Sequence, residues 1–345
     1  MKNLQEFLNV DYPVIQAPMA GVQDSALTIA VSRVGGLGSL PCAMLTGDKI
    51  RQEVAKIRAE TDRPFNLNFF CHTQPAADPE NEAAWRQKLQ PYYQELELDV
   101  NEKVGGASRR PFDEQAAELV AELKPSAISF HFGLPAAELL DYIKSKGVKV
   151  LASATTVAEA LWLEQRGADA IIAQGLEAGG HRGHFLSDDL SLQMGTFALL
   201  PQVRSRVKLP VISAGGIASS QGVKAATHLG AMAAQIGTAY LLCTEARTSA
   251  IHRNAIQSDQ AFHTAITNVF SGRPARGIVN RLMREQGPIN PNIPKFPNAS
   301  AALAPLRSKA EQFGRGDFSP LWAGQNTKGC EEISAGEMTL KLAGF

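Results

Sequence analysis

The sequence predicts an α/β chain built on a (β/α)8 barrel of the TIM type, with an added, mostly helical C-terminal subdomain. Eight short apolar runs alternate with longer amphipathic stretches, and several of these units recur at about 21 to 24 residues. The pattern changes near residue 245, which separates a barrel over 1–244 from a helical region over 245–345 that caps one barrel mouth.

In order, the runs are 13–19, 36–40, 65–70, 127–132, 148–153, 170–175, 211–216 and 234–239. Each is nearly continuous in apolar character and closes on Gly or a small polar residue, as parallel strands buried on both faces do. Helical patterns follow at 25–34, 48–60, 135–146, 156–165 and 220–229. Eight such strands suit a closed ring better than an open sheet. Two intervals are longer: a charged, Pro-containing insertion at 73–112 and a Gly/His-rich loop at 176–210. Insertions at the carboxyl ends of strands are where barrel enzymes build their sites. Further helices are predicted at 245–270, 301–313 and 331–343, around a stretch at 272–297 rich in Pro, Gly, Arg and Asn.

Composition excludes several classes. With 44% hydrophobic and 20% charged residues, the 345-residue chain can fill a large core, so it is neither disordered nor fibrous. Lys+Arg and Asp+Glu each number 34, so the basic excess of a nucleic-acid binder is missing. Cys42, Cys71, Cys243 and Cys330 have no CxxC and no regular spacing, and read as reduced thiols. The start lacks the apolar segment of a signal peptide, and no run reaches the roughly 18 apolar residues of a membrane helix. The expectation is a cytoplasmic protein, monomer or homodimer, with neither nucleic acid nor membrane as partner.

Ser213, Ala214, Gly215 and Gly216 end the seventh predicted strand, and Gln235, Gly237 and Thr238 end the eighth. The loops after those two strands often hold a phosphate in barrels; glycine admits the anion to backbone N–H groups, and Thr238 adds a hydroxyl. The plainer alternative is that these glycines only permit tight turns. Neither a Walker nor a dinucleotide spacing is present. At the mouth of the sixth strand stands Gln174-Gly175-Leu176-Glu177-Ala178-Gly179-Gly180-His181-Arg182-Gly183-His184. So glycine-rich a loop costs backbone entropy that a mere connector has no use for, and an imidazole displayed there can move a proton near neutrality. His181 is the candidate base, while His184 is either a second functional imidazole or incidental. No metal is expected, since no Cys or carboxylate cluster accompanies them.

Alternation places His131 opposite Phe130 and Phe132, either at the barrel mouth or as a hydrogen-bonded core histidine. Asn66 and Asn68 share one face of the third strand, where asparagine is unfavourable, which suits an amide aimed at a polar ligand such as a flavin ring. Gln16, Gln174 and Gln235 pose the same question at other strand ends. His72, His228, His252 and His263 read as structural or surface residues.

Four segments together resemble the nitronate monooxygenases, formerly called 2-nitropropane dioxygenases: Gln16-Ala17-Pro18-Met19-Ala20-Gly21-Val22, Ser129-Phe130-His131-Phe132-Gly133, the 174–183 loop and Ser213-Ala214-Gly215-Gly216-Ile217. Ser271-Gly272-Arg273-Pro274-Ala275-Arg276-Gly277 and Trp322-Ala323-Gly324-Gln325 extend the resemblance over nearly the whole chain. It is similar above all to the class I branch, which acts on propionate 3-nitronate and alkyl nitronates. The resemblance implies a barrel holding non-covalent FMN, with no nicotinamide or metal. Ala17, Pro18 and Met19 then lie along the isoalloxazine, Asn68 donates to it, and Gln174 and Gly179 touch the flavin or its ribityl chain. Gly215, Gly216, Gly237 and Thr238 take the phosphate, beside Ser213, Ala214 and Gln235, and Gln325 closes over the cofactor. His181 is the base for neutral nitroalkanes, and His131 helps bind the anion.

The implied reaction passes one electron from the nitronate to the flavin, through an anionic flavosemiquinone, and on to dioxygen. Carbonyl compound and nitrite or nitrate result, a detoxification. Helix N-termini, backbone N–H groups and a protonated His181 or His131 are expected to hold negative charge beside the flavin. One departure concerns substrate choice: some class I members line the pocket with C-terminal tyrosines, but here the last tyrosine is Tyr240, and Lys295, Arg307 and Lys309 stand in 295–310. The alternatives are an NAD(P)H-dependent FMN reductase of the same barrel group, of the enoyl-acyl-carrier-protein or quinone reductase type, and a flavin-binding sensor without turnover.

Overall fold

The structure, a computed structural model, describes residues 4–100 and 109–345; residues 1–3 of the N-terminal segment and 101–108 of the charged insertion lie outside them. Six parallel strands come first: β1 (Val14–Gln16), β2 (Gly38–Pro41), β3 (Phe65–Phe70), β4 (Ala127–His131), β5 (Lys149–Ala154) and β6 (Ala170–Gln174). A two-residue strand, β7 (Gly180–His181), stands outside the barrel, and β8 (Val211–Ala214) and β9 (Ala233–Ile236) complete it. The order is β1-β9-β8-β6-β5-β4-β3-β2. The ring is joined through the Ile15–Leu37 bridge, where Gln16 N donates to Leu37 O at 2.9 Å and Leu37 N to Val14 O at 3.0 Å. This is the (β/α)8 barrel that the eight apolar runs predict.

The strands are buried on both faces because apolar side chains meet them from two sides. Ile15, Leu37, Leu151, Ile172 and Ile212 pack together with Leu4 and Leu8 of α1 (Leu4–Leu8). Outside stand α2 (Ser25–Arg33), α3 (Gly47–Glu60), α4 (Pro79–Glu95), α5 (Glu114–Leu123), α6 (Ala137–Ser145), α7 (Val157–Gln165), α8 (Thr196–Arg206) and α9 (Ser220–His228). Their starts follow from sequence: the side chains of Asp24, Thr46, Asp113, Thr156 and Ser219 each accept a backbone N–H of the first turn.

The C-terminal region carries α10 (Ala250–Gln257), β10 (Thr264–Thr267), β11 (Ala275–Ile278), α11 (Arg281–Gln286), α12 (Ala299–Gln312) and α13 (Ala335–Ala343). It departs from the predicted helix over 245–270: α10 ends at Gln257, and a strand follows a short 3-10 turn. β-Branched Thr264, Ile266 and Thr267 favour that strand, and β11 supplies its partner in register Thr264↔Ile278. On its other edge β11 pairs with β7, Ala275 opposite His181 and Arg276 opposite Gly180. α12 lies against α4, where Trp85, Leu89 and Tyr93 meet Leu303 and Leu306, and Tyr93 Oη donates to Ala302 O at 2.7 Å. Not all of this region caps the mouth. α13 packs against α2 and α9 on the barrel flank, through Leu27, Val31, Val223, Met338 and Leu342.

The close approach of α2 to β2 requires glycine at residue 38. A Cβ there collides with the Thr28 carbonyl oxygen and lies 2.9 Å from Ser32 Oγ. Gly38→Ala is expected to destabilise the protein by about 2–3 kcal/mol through overpacking, read as a lower urea midpoint. An unchanged midpoint would mean that α2 retreats from the strand at no cost.

Candidate active site

A cavity of about 1430 Å³, including its open mouth, lies over the carboxyl ends of the barrel strands. Beyond β1, Ala17, Pro18 and Met19 form one wall; β3 and β4 contribute Asn68 and His131, and β6 contributes Gln174. Ala214, Gly215 and Gly216 after β8 face it, as do Gln235, Gly237 and Thr238 around the end of β9. Gly179 and His181 reach it from the loop after β6. These residues come from six strand ends and are brought together only by closure of the ring.

Two expected cofactor residues lie elsewhere. Ser213 is fully buried in β8 and does not line the cavity. Gln325 is exposed: its backbone N donates to Glu177 O at 3.0 Å, and the lining positions on either side are Gly324 and Asn326. Several amides are also committed within the protein. Gln16 donates to Gln23 Oε1 and accepts from Ser39 N, and Asn66 donates to Ser39 Oγ and Ser129 Oγ. Asn68 spends its N–H groups on Ser129 O and Oγ, leaving its carbonyl oxygen, rather than the expected donor, for a ligand. Among the described residues, the buried Gln235 Oε1 has no partner, and neither has Asn66 Oδ1.

The 174–184 loop is fixed by side chains that reach back to its own backbone. Gln174 Nε2 donates to His181 O at 3.0 Å, and its Oε1 accepts from Gly183 N at 2.8 Å. Arg182, fully buried, donates to Gly175 O, Gln174 O and Gln193 Oε1 at 2.8, 2.9 and 2.8 Å. Glu177 accepts from Thr196 N, and the single Thr196 hydroxyl proton lies between Glu177 Oε2 at 2.8 Å and Gly215 O at 2.9 Å, which ties this loop to the glycines after β8. Beyond the loop, Glu159 of α7 accepts from Phe185 N at 2.6 Å.

These contacts set the protonation of both histidines. His131 Nε2 lies 3.1 Å from His181 O, an acceptor only, so that nitrogen carries the proton and Nδ1 accepts from Ser153 Oγ at 3.0 Å. Both ring nitrogens are therefore engaged, and His131 meets a substrate through a ring nitrogen only by giving up one of these bonds. His181 Nε2 lies 2.8 Å from Ser271 Oγ, and the Ser271 hydroxyl also lies 3.2 Å from Arg273 O. With the Ser271 proton on Arg273 O, His181 donates through Nε2 and keeps a lone pair on Nδ1; with that proton on Nε2, the ring proton sits on Nδ1. Burial lowers the His131 pKa to about 3 and holds His181 well below its ordinary value, with the guanidiniums of Arg109 and Arg273 acting on His181 in the same direction. With no anion bound, both imidazoles are thus neutral, and the positive charge nearby resides on arginine.

Other features escape sequence reasoning. Phe132 adopts a left-handed φ of 71°, which ends the strand alternation and turns its ring toward Phe70 and Phe296. His252 is buried, lines the cavity and leaves Nε2 without a partner, so it is not a surface residue; the unmet ring nitrogen of a histidine far along the chain carries no sequence signal. His184 is buried and does not line the cavity; burial lowers its pKa to about 4. Arg109, Trp322 and Asn326 are lining residues supplied by loops whose positions depend on the tertiary fold.

The residues suit a phosphate-bearing flavin. Gln235 Oε1 awaits an N–H, and glycines at positive φ, Gly215 (118°) and Gly216 (72°), open backbone to an anion. Thr238 Oγ1 accepts from Gly324 N at 2.9 Å and retains its own proton to donate.

A family profile described as "Nitronate monooxygenase" matches residues 1–343. The chain is 39% identical to the nitronate monooxygenase of Pseudomonas aeruginosa, over 97% of this chain and 96% of that one. It is 40% identical to the nitronate monooxygenase of Paraburkholderia phytofirmans, over 98% and 93% of the two chains. A solved structure of nitroalkane oxidase from Streptomyces ansochromogenes superposes with a TM-score of 0.89 at 35% identity, covering 99% and 96%.

Two outcomes follow from this geometry. Histidines 131, 181, 184 and 252 all titrate below their ordinary value of 6.5 in the folded state, so the unfolded state takes up protons first. Their contribution to stability is complete above that value and declines as the pH falls toward 4. The urea midpoint is expected to be lower at about pH 5.5 than at about 7.5, and a flat profile would contradict the buried neutral assignment. The second concerns Gly237, where a Cβ meets Ala17 Cβ at 3.4 Å and Met19 Sδ at 3.6 Å, ordinary contacts. Gly237→Ala is expected to fold normally and to bind added flavin roughly tenfold more weakly by titration, a cost of about 1.4 kcal/mol. Unchanged affinity would take Gly237 out of the cofactor's envelope.

Proposed function

The chain belongs to the nitronate monooxygenase family, and from that premise we propose that it is an FMN-dependent enzyme oxidising propionate 3-nitronate, alkyl nitronates or both with dioxygen. The products are a carbonyl compound and nitrite or nitrate, and the reaction removes toxic nitronates in the cytoplasm. The observation that carries this reading is the setting of His181: on the cavity wall, held neutral, bonded through Nε2 to Ser271 Oγ at 2.8 Å, with guanidiniums nearby; in this reading Nε2 donates to Ser271 and Nδ1 keeps its lone pair. Such a site takes a proton from a neutral acid and favours the anion left behind. The Streptomyces relative's description as a nitroalkane oxidase supports extending the substrates to neutral nitroalkanes.

In this reading Ala17, Pro18 and Met19 form the wall for the isoalloxazine, Gln235 and Asn68 meet its polar edge, and Gly215, Gly216, Gly237 and Thr238 hold the phosphate. When bound, FMN supplies the redox chemistry that links the nitronate to dioxygen. The barrel over 1–244 carries these residues, while the region from 245 to 345 adds Ser271, Trp322 and Asn326. His181 removes the α-proton where the substrate arrives neutral. His131 holds the His181 carbonyl, and Arg109 and Arg273 balance the charge of the bound anion. A substrate that arrives as the nitronate needs no base.

Oxygen uptake with a nitronate and its parent nitroalkane, without nicotinamide, tests the assignment. His181→Asn is expected to lose about 10²–10⁴-fold in kcat/KM on the neutral nitroalkane while retaining most nitronate oxidation. Equal losses on both would leave His181 a binding residue. Turnover that requires NADH would replace this reading with the reductase one.

A further inference from the structure

We propose that Arg109 is a specificity-determining residue that binds a carboxylate at the far end of the substrate, selecting doubly anionic nitronates over alkyl nitronates. The inference rests on the reading of the cavity as a nitronate site. Arg109 lines that cavity and is half-buried. Its guanidinium carbon stands 5.8 Å from the centre of the Phe296 ring, and the His181 ring stands 5.3 Å from the same centre. The guanidinium and the proposed base thus share a ring contact and line the same cavity.

Arg109 combines, among the described residues, a place on the cavity wall with unspent donor capacity. Among the described residues it makes no ion pair, whereas Arg51, Arg247, Arg281 and Arg315 each meet a carboxylate. Arg182, Arg273 and Arg276, also near the loop, are committed to backbone carbonyls. Among the described residues, the Arg109 side chain makes one hydrogen bond, from Nη1 to Ser300 Oγ at 3.2 Å. A guanidinium has five N–H donors in a planar fork that matches a carboxylate. Arg307, of like charge, acts on it too, so the local field favours an anion. Ser300 and the Phe296 face hold the side chain in place, which lowers the cost of ordering it on binding. The C-terminal tyrosines that some class I members use are absent after Tyr240, and Arg109 supplies a recognition group of a different kind.

The test uses two nitronates of equal carbon length, propionate 3-nitronate and propyl-1-nitronate, with holoenzyme of wild type, Arg109→Met and Arg109→Lys. The ratio of kcat/KM for the carboxylated over the alkyl nitronate should fall about 10- to 100-fold in Arg109→Met, through KM, and recover in part in Arg109→Lys. Succinate, which has the same spacing of two anionic ends and is not oxidised, gives a readout free of turnover. Its Kd by calorimetry should rise by a similar factor in Arg109→Met, with butyrate affected less. An unchanged substrate ratio, or succinate affinity indifferent to the substitution, overturns the assignment of Arg109. If neither nitronate is oxidised by the wild type, the nitronate reading itself fails, and the succinate measurement still decides whether Arg109 binds a carboxylate.

Discussion

The site depends on one constraint: the backbone from Gln174 to His184 is held rigid between two sheets. Its start belongs to the barrel strand β6, while Gly180 and His181 pair with β11 of the C-terminal sheet. Between these anchors the loop's own carbonyls are claimed by Arg182, Gln174 and His131. A glycine-rich segment is entropically costly to order, and this number of hydrogen bonds to buried partners offsets that cost. Ordering the backbone fixes the imidazole of His181, because its neighbour Ser271 sits just before β11. The barrel alone therefore does not make the site; the returning C-terminal chain completes it.

The same arrangement separates charge from proton transfer. Neutral imidazoles accept protons and carry no charge of their own, while guanidiniums carry charge and cannot lose it at neutral pH. Burial keeps His131 and His181 in the first class, and Arg182, Arg273 and Arg276 are fixed by backbone carbonyls in the second. An anion generated at the mouth meets a standing positive field that needs no protonation event to appear. Preorganised charge of this kind stabilises a developing anion without reorganisation during reaction.

Sequence made the barrel legible because each strand is a short apolar run with a small residue at its end, and buried parallel strands leave that trace wherever they occur. The lining glycines and the His181 loop were equally visible, since glycine at a strand mouth has few structural uses. What stayed hidden depends on three-dimensional closure. Strand β10 lay inside an apparent helix because it forms only by pairing with β11, which is itself anchored on β7 from far earlier in the chain. Phe132 broke the alternation through a backbone angle that no side-chain pattern encodes. Gln16, Gln174 and Gln235 look alike as sequence, yet among the described residues the first two are consumed by the protein while Gln235 keeps an unpartnered oxygen. Amide chemistry is set by neighbours, not by the residue.

The most direct test of this account is the ionisation and tautomer of His181, read by nitrogen NMR of the protein labelled in its histidines, with His181→Asn assigning the signal. A neutral ring protonated on Nε2, unchanged from about pH 6 to 8, is the predicted result. An imidazolium at neutral pH, or a proton on Nδ1, would contradict it.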